Sequence, residues 1–185
     1  KPITVRAYEM CRTEIKVQDT IAWSLQPSST SGRLDWVLPV TEGFAKENYL
    51  GMNNTDYGGG IPMIDVWQRN GGVAIGLIEP VLRTISMPIE WKRYDDKISM
   101  ALRYEFEHPV TLNKGDTLHT FSAFRYEHTG DYFNALRTFS EVMQQEAGIQ
   151  LPASEPEAFE PVWCAWGYER TFTIDEVIGT LDKVA

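Results

Sequence analysis

The chain reads as a mainly β protein: an antiparallel β-sandwich, then one amphipathic helix, then a separate β-then-α unit. Three observations lead there. Short apolar segments divided by Gly, Pro, Asn and Asp fill the first 128 residues or so, the apolar period changes after Gly130, and a proline-rich connector occupies residues 151–161.

The strand pattern is clearest in Ile98-Ser99-Met100-Ala101-Leu102-Arg103-Tyr104-Glu105-Phe106, where bulky apolar residues take every second position. That is the period of a strand with one buried face. Turn chemistry follows in Asn113-Lys114-Gly115-Asp116, and the stretch from Thr117 to His128 is expected to return as the second strand of a hairpin. Further strands are expected over residues 3–8, 20–25, 36–40, 63–68, 73–78 and 83–91. Many short strands with frequent turns suit a sandwich. The region Gly43 to Pro62, with Asn48, Asn53, Asn54, Asp56 and three successive glycines at 58–60, reads as a long specialised loop.

After Gly130, Asp131 is placed to cap a helix in which Tyr132, Leu136, Phe139 and Met143 recur three or four residues apart, and Gly148 is placed to end it. A domain over residues 1–150 therefore ends in a helix. Prolines at 152, 156 and 161 mark residues 151–161 as a linker. Val162-Trp163-Cys164-Ala165-Trp166 then suits a strand buried on both faces. The helix expected next opens with Thr173 and Glu176 at capping-box spacing, and Phe172 and Val177 can form its staple. Residues 162–185 thus read as a parallel-type unit with no second strand to pack against, the pattern expected of a chain cut inside a domain, with a C-terminal helix docked on the sandwich as the alternative.

Composition excludes several functions. Seventeen basic against 26 acidic residues give a net charge of -9, which repels a phosphate backbone, so no nucleic-acid partner is expected. No run approaches the roughly 20 apolar residues of a membrane span, and residues 1–5 have no apolar leader core. Cys11 and Cys164 have no C-x-x-C partner, His108, His119 and His128 lack metal-ligand spacing, and no phosphate loop, dinucleotide fingerprint or G-x-S-x-G occurs. No metal or cofactor is expected. The match to a glycosylation acceptor at Asn53-Asn54-Thr55 is too short to carry weight. Compartment and self-association stay open.

Two features admit a sugar. Gly58-Gly59-Gly60 either makes a tight bend or lets main chain approach a ligand, with Asp56, Tyr57 and Asp65 as polar and aromatic contacts. Six tryptophans offer flat apolar faces, for which core packing is the expectation at Trp23, Trp36, Trp67, Trp91 and Trp163. Trp166, at the C-terminal end of a buried strand, stands where barrel enzymes place their sites.

The run from Asn48 to Trp67, NYLGMNNTDYGGGIPMIDVW, resembles the N-terminal domain of alpha-galactosidase-like enzymes of glycoside hydrolase family thirty-six. Pro161 to Arg170, PVWCAWGYER, with the capped helix after it, is similar to the opening strand and helix of that family's barrel. The resemblance implies a mutarotase-like supersandwich followed by a (β/α)8 barrel, and retaining hydrolysis of terminal alpha-galactosides. It further implies two catalytic aspartates on later barrel strands, so no catalytic residue is assigned within this chain. Asp56, Tyr57, Asp65 and Trp166 are the expected substrate contacts, and an alpha-galactoside is the expected partner. A stand-alone carbohydrate-binding or adaptor sandwich is the competing reading.

Overall fold

A computed structural model describes residues 1–26, 36–47, 49–50, 60–81, 83–146, 148, 150, 152–160 and 171–184. The chain divides into two compact units, Lys1–Gln150 and Leu151–Ala185.

The first unit is built from two antiparallel sheets. One contains β1 (Ile3–Lys16), β4 (Ala45–Lys46), β5 (Tyr49–Leu50), β8 (Ile85–Ser86), β9 (Ile89–Glu90) and β10 (Lys97–Leu112); the other runs β11-β7-β6-β2-β3, comprising Ser122–His128, Gly71–Ile78, Met63–Gln68, Ala22–Leu25 and Val37–Val40. Alternation explains how they meet. Ile98, Met100 and Leu102 of β10 share one fully buried cluster with Ile64 and Val66 of β6 and with Ile75 and Leu77 of β7. Both sheets therefore close on one core, the arrangement of a β-sandwich.

The long strand β10 organises the first sheet. It pairs with β1 on one side, and on the other with β9 through Ser99 and Met100 and with β8 through Arg103 and Tyr104. The single strand expected over residues 83–91 is broken at Met87-Pro88. Proline has no N–H for the ladder, yet its carbonyl still accepts a bond from Ala101 N–H at 3.2 Å.

Residues 113–128 do not complete the expected hairpin. β11 begins only at Ser122 and pairs with β7 of the other sheet, from Ser122 opposite Ile78 to His128 opposite Gly72. The residues between cross from one sheet to the other, and Phe121 packs edge-on against Tyr104 with ring centres 5.1 Å apart.

Helix α1 (Tyr132–Glu146) lies on the outer face of the five-stranded sheet, where Ala135 and Phe139 join Leu25, Met63, Ala74 and Phe124 in a second buried cluster. Its start is fixed as the sequence implies. Asp131 Oδ1 accepts the Phe133 N–H at 3.1 Å, and Gly130 takes the left-handed conformation just before it, with φ +77°.

The second unit contains a short 3-10 turn, Pro156–Phe159, and α2 (Ile174–Val184). The capping box forms: Glu176 Oε2 accepts from Thr173 N–H at 2.7 Å, and Thr173 Oγ1 accepts from Glu176 N–H at 3.3 Å. The Thr173 N–H, and after it the Thr173 hydroxyl donating to the same oxygen at 3.0 Å, hold the Glu176 carboxyl below its ordinary pKa. Phe172, Ile174 and Ile178 are exposed along this helix. The barrel strand expected at residues 162–166 lies outside the described residues. No described helix is long and apolar enough to cross a membrane.

Candidate functional site

The outer face of the five-stranded sheet is shaped by small residues on its middle strand. Reading across β6, β7 and β11, the register sets Met63, Gly76 and Phe124 in one row, Asp65, Ala74 and Tyr126 in the next, and Trp67, Gly72 and His128 in the third. Each row is large, small, large. The trough this leaves along β7 is filled from both sides. A Cβ added at Gly76 would come within 2.9 Å of the Phe139 ring, and one at Gly72 within 2.5 Å of Trp67 Cβ and 2.8 Å of His128 Nε2.

Across this trough Asp65 and His128 meet, 63 residues apart in sequence. His128 Nε2 lies 2.9 Å from Asp65 Oδ1, and both side chains have no solvent exposure. Nδ1 of the same ring lies 3.3 Å from the carbonyl of Thr129. Both ring nitrogens thus face acceptors, which requires the pair to keep a proton that an ionised aspartate and a neutral histidine would lack. The electrostatics agree. Burial raises the Asp65 pKa against the opposing pull of His128; at His128 burial opposes the charged ring, but the hydrogen bond and charge of Asp65 outweigh it and raise its pKa. The pair ties β6 to β11 over the top of β7.

Beside the pair an open cleft of about 510 Å³ lies where β6 ends and α1 begins. Trp23 and Trp67 occupy directly paired positions on β2 and β6, so their side chains share one face of the sheet. Trp67 is half-buried against Tyr132, with ring centres 5.3 Å apart, whereas Trp23 is 44% exposed. Asp19, Arg69, Gly130 and Asp131 line the rim. That rim is held by Gln68, which is buried: its Oε1 accepts from Gln18 and Asp19 N–H at 2.7 and 3.1 Å, and its Nε2 donates to Lys16 carbonyl at 3.0 Å.

The expected site residues fare unequally. Asp56, Tyr57 and Trp166 lie outside the described residues, as do Trp163 and the glycines at 58 and 59. Asp65 is described, and its carboxylate is turned into the sheet, bonded to His128, instead of standing open beside the loop. Among the tryptophans, Trp91 packs in the core and donates to Asp95 carbonyl at 3.0 Å, as expected. Core packing is corrected for Trp23 and for Trp36, which is 47% exposed, because the register puts Trp23 on the outer face beyond the cover of α1. His128 escaped notice as a partner of Asp65. The available signal was a lone carboxylate in the apolar run Met63-Ile64-Asp65-Val66-Trp67, since a buried charge demands a partner. Among the described residues no group of three or more His, Cys, Asp or Glu is placed to hold a metal ion.

No family model matches the chain. It is similar to a protein of Flavonifractor plautii named A type blood alpha-D-galactosamine galactosaminidase, 25% identical over 144 residues that make up 76% of this chain. The similarity is therefore to a glycosidase. The match takes in 12% of the relative's length.

Proposed function

We propose that this chain is the sandwich portion of a retaining glycoside hydrolase of family thirty-six that acts on terminal alpha-linked galactose-type sugars. The observation that carries the reading is the similarity to the galactosaminidase over 76% of the chain. The run Asn48 to Trp67 and the sandwich fold support it. The fold would then be of the mutarotase-like kind, and residues 162–185 the first strand and helix of the catalytic barrel. The uncovered apolar residues of α2, Ile174 and Ile178, support that reading, because a barrel helix packs such a stripe against its sheet.

The division of labour follows from the chemistry. Retention of configuration needs two carboxyl groups about 5 Å apart, one forming a covalent glycosyl intermediate and the other serving first as acid and then as base. Both belong to later barrel strands. In this chain the loop before β6 supplies the wall of the sugar pocket: Asp56 accepts hydrogen bonds from sugar hydroxyls, Tyr57 shapes the wall, and Trp166 faces the pocket from the first barrel strand. Asp65 serves from beneath. Its bond to His128 fixes β6, the strand that follows the loop in sequence, against β11.

Asp56→Ala in the full-length protein tests this. A hydrogen bond to a charged group is worth about 1.5 to 3 kcal/mol, so losing it should weaken substrate use roughly ten- to a hundredfold with the thermal midpoint unchanged. A destabilised but kinetically normal variant would show that Asp56 caps its own turn and touches no sugar.

A further inference from the structure

We propose that the cleft floored by Trp23 and Trp67 is a sugar-binding site, the indoles taking the C–H face of a pyranose and the charged rim taking its hydroxyls. The choice of galactose-type sugar rests on the glycosidase reading; the site itself rests on the geometry. Its volume of about 510 Å³ falls within the roughly 300–1,000 Å³ usual for small-molecule pockets.

Two tryptophans paired on adjacent strands share one face of the sheet and both line the cleft, and among the described residues Trp23 is left 44% exposed. Indole is amphipathic and matches a ligand that is apolar on one face and polar at its edge. The rim carries both signs of charge. Asp19 and Asp131 accept, and the exposed Arg69 guanidinium donates in a planar fork. Vicinal hydroxyls, each a donor and an acceptor, satisfy both kinds of group at once. An apolar peptide would strand these charges, and the net charge of -9 opposes an anionic polymer.

The rim is also built in place. Gln68 anchors the end of β1 and the turn that follows it, through Lys16, Gln18 and Asp19, and Arg69 N–H donates to Asp19 Oδ2 at 3.3 Å, so the carboxylate stands beside the two tryptophans before any ligand arrives. Such preorganisation lowers the entropy lost on binding.

The test uses the 185-residue chain, titrated with galactosamine and with galactose and followed by the indole N–H resonances in a proton–nitrogen correlation spectrum. Saturable shifts at Trp23 and Trp67 are expected, with at least tenfold weaker binding in Trp23→Ala and in Arg69→Ala. Arg69 is exposed, so its variant keeps the fold and separates lost contact from lost structure. Binding undiminished in both variants, or no saturable binding of either sugar, overturns the cleft. Turnover of an aryl alpha-galactoside or alpha-galactosaminide by the full-length protein, without binding here, sinks the cleft and leaves the glycosidase reading standing. Binding here without any turnover supports the cleft and counts against that reading.

Discussion

The two faces of the five-stranded sheet are made by the same strands and are chemically opposite. On the inner face Ala22, Ile64, Val66, Ile75 and Leu77 are buried aliphatics that meet the other sheet. On the outer face the alternate residues of those strands are Trp23, Met63, Asp65, Trp67, Gly72, Ala74 and Gly76. The inner face works by volume and hydrophobicity, terms that many sequences satisfy. The outer face works by pairing a large residue with a small one in each row, so its residues depend on each other individually. Alternation allows one strand to secure the fold on one side and present chemistry on the other.

The largest effect should come from splitting the buried pair. His128→Ala leaves the Asp65 carboxylate enclosed without its partner, a loss of about 3–5 kcal/mol. Ile75→Ala on the inner face should cost a comparable amount, about 2–5 kcal/mol, by leaving a cavity. Their pH profiles separate them. Both pair pKa values are raised on folding, so folding takes up a proton, and the stability this contributes is present at low pH and lost as pH rises through the raised folded value of His128. Denaturation at a series of pH values should show stability still falling above about pH 6.5 in the wild type and in Ile75→Ala, whereas in His128→Ala the burial that raises Asp65 is no longer opposed and more of the fall should come earlier, from about pH 4 upward. A His128→Ala profile parallel to that of Ile75→Ala at every pH would mean that the two faces do not differ in this way.

A smaller loss is expected from Gly72→Ala. The added methyl would meet Trp67 Cβ and the Val66 carbonyl at 2.5 Å, both on the strand backbone or next to it, so the neighbouring strands must shift. Overpacking of this kind costs about 1–3 kcal/mol, measurable as a lower denaturation midpoint. The smallest change should follow Trp23→Ala, within about 1 kcal/mol because the ring is largely outside the core, and its effect should be read in sugar binding instead.

Local pattern carried the fold further than the site. The alternation in residues 98–106 gives a strand directly, and Asp131 and Thr173 mark the two helix starts, because each signal lies within a few residues of its consequence. β1 runs on to Lys16, well past the expected Tyr8, because the segment Glu9 to Lys16 is rich in charge and hides its strand character until β10 pairs with it. The hairpin expected at residues 98–128 failed for a related reason: turn chemistry after Leu112 marks where a strand ends and says nothing of which sheet receives the next one. The Asp65–His128 pair and the Trp23–Trp67 strip arise from strand register across three and two strands. No spacing within either segment contains them.

The long strand β1 has a further consequence. Among the described residues it pairs with β10 alone, which leaves 14 residues of backbone along one margin of its sheet. Such a margin invites another chain to add a strand. Here the register slips between Val5 and Ala7 and again between Glu9 and Cys11, and Arg6, Glu9, Arg12 and Glu14 stud the segment with charge. The slips twist and interrupt the row of free N–H and C=O groups, while the ion pair of Arg12 with Glu9 at 2.6 Å and that of Lys97 with Glu14 at 2.8 Å keep charge fixed along it. Irregularity along β1 therefore makes this margin a poor template on which a second copy of the chain could add a strand.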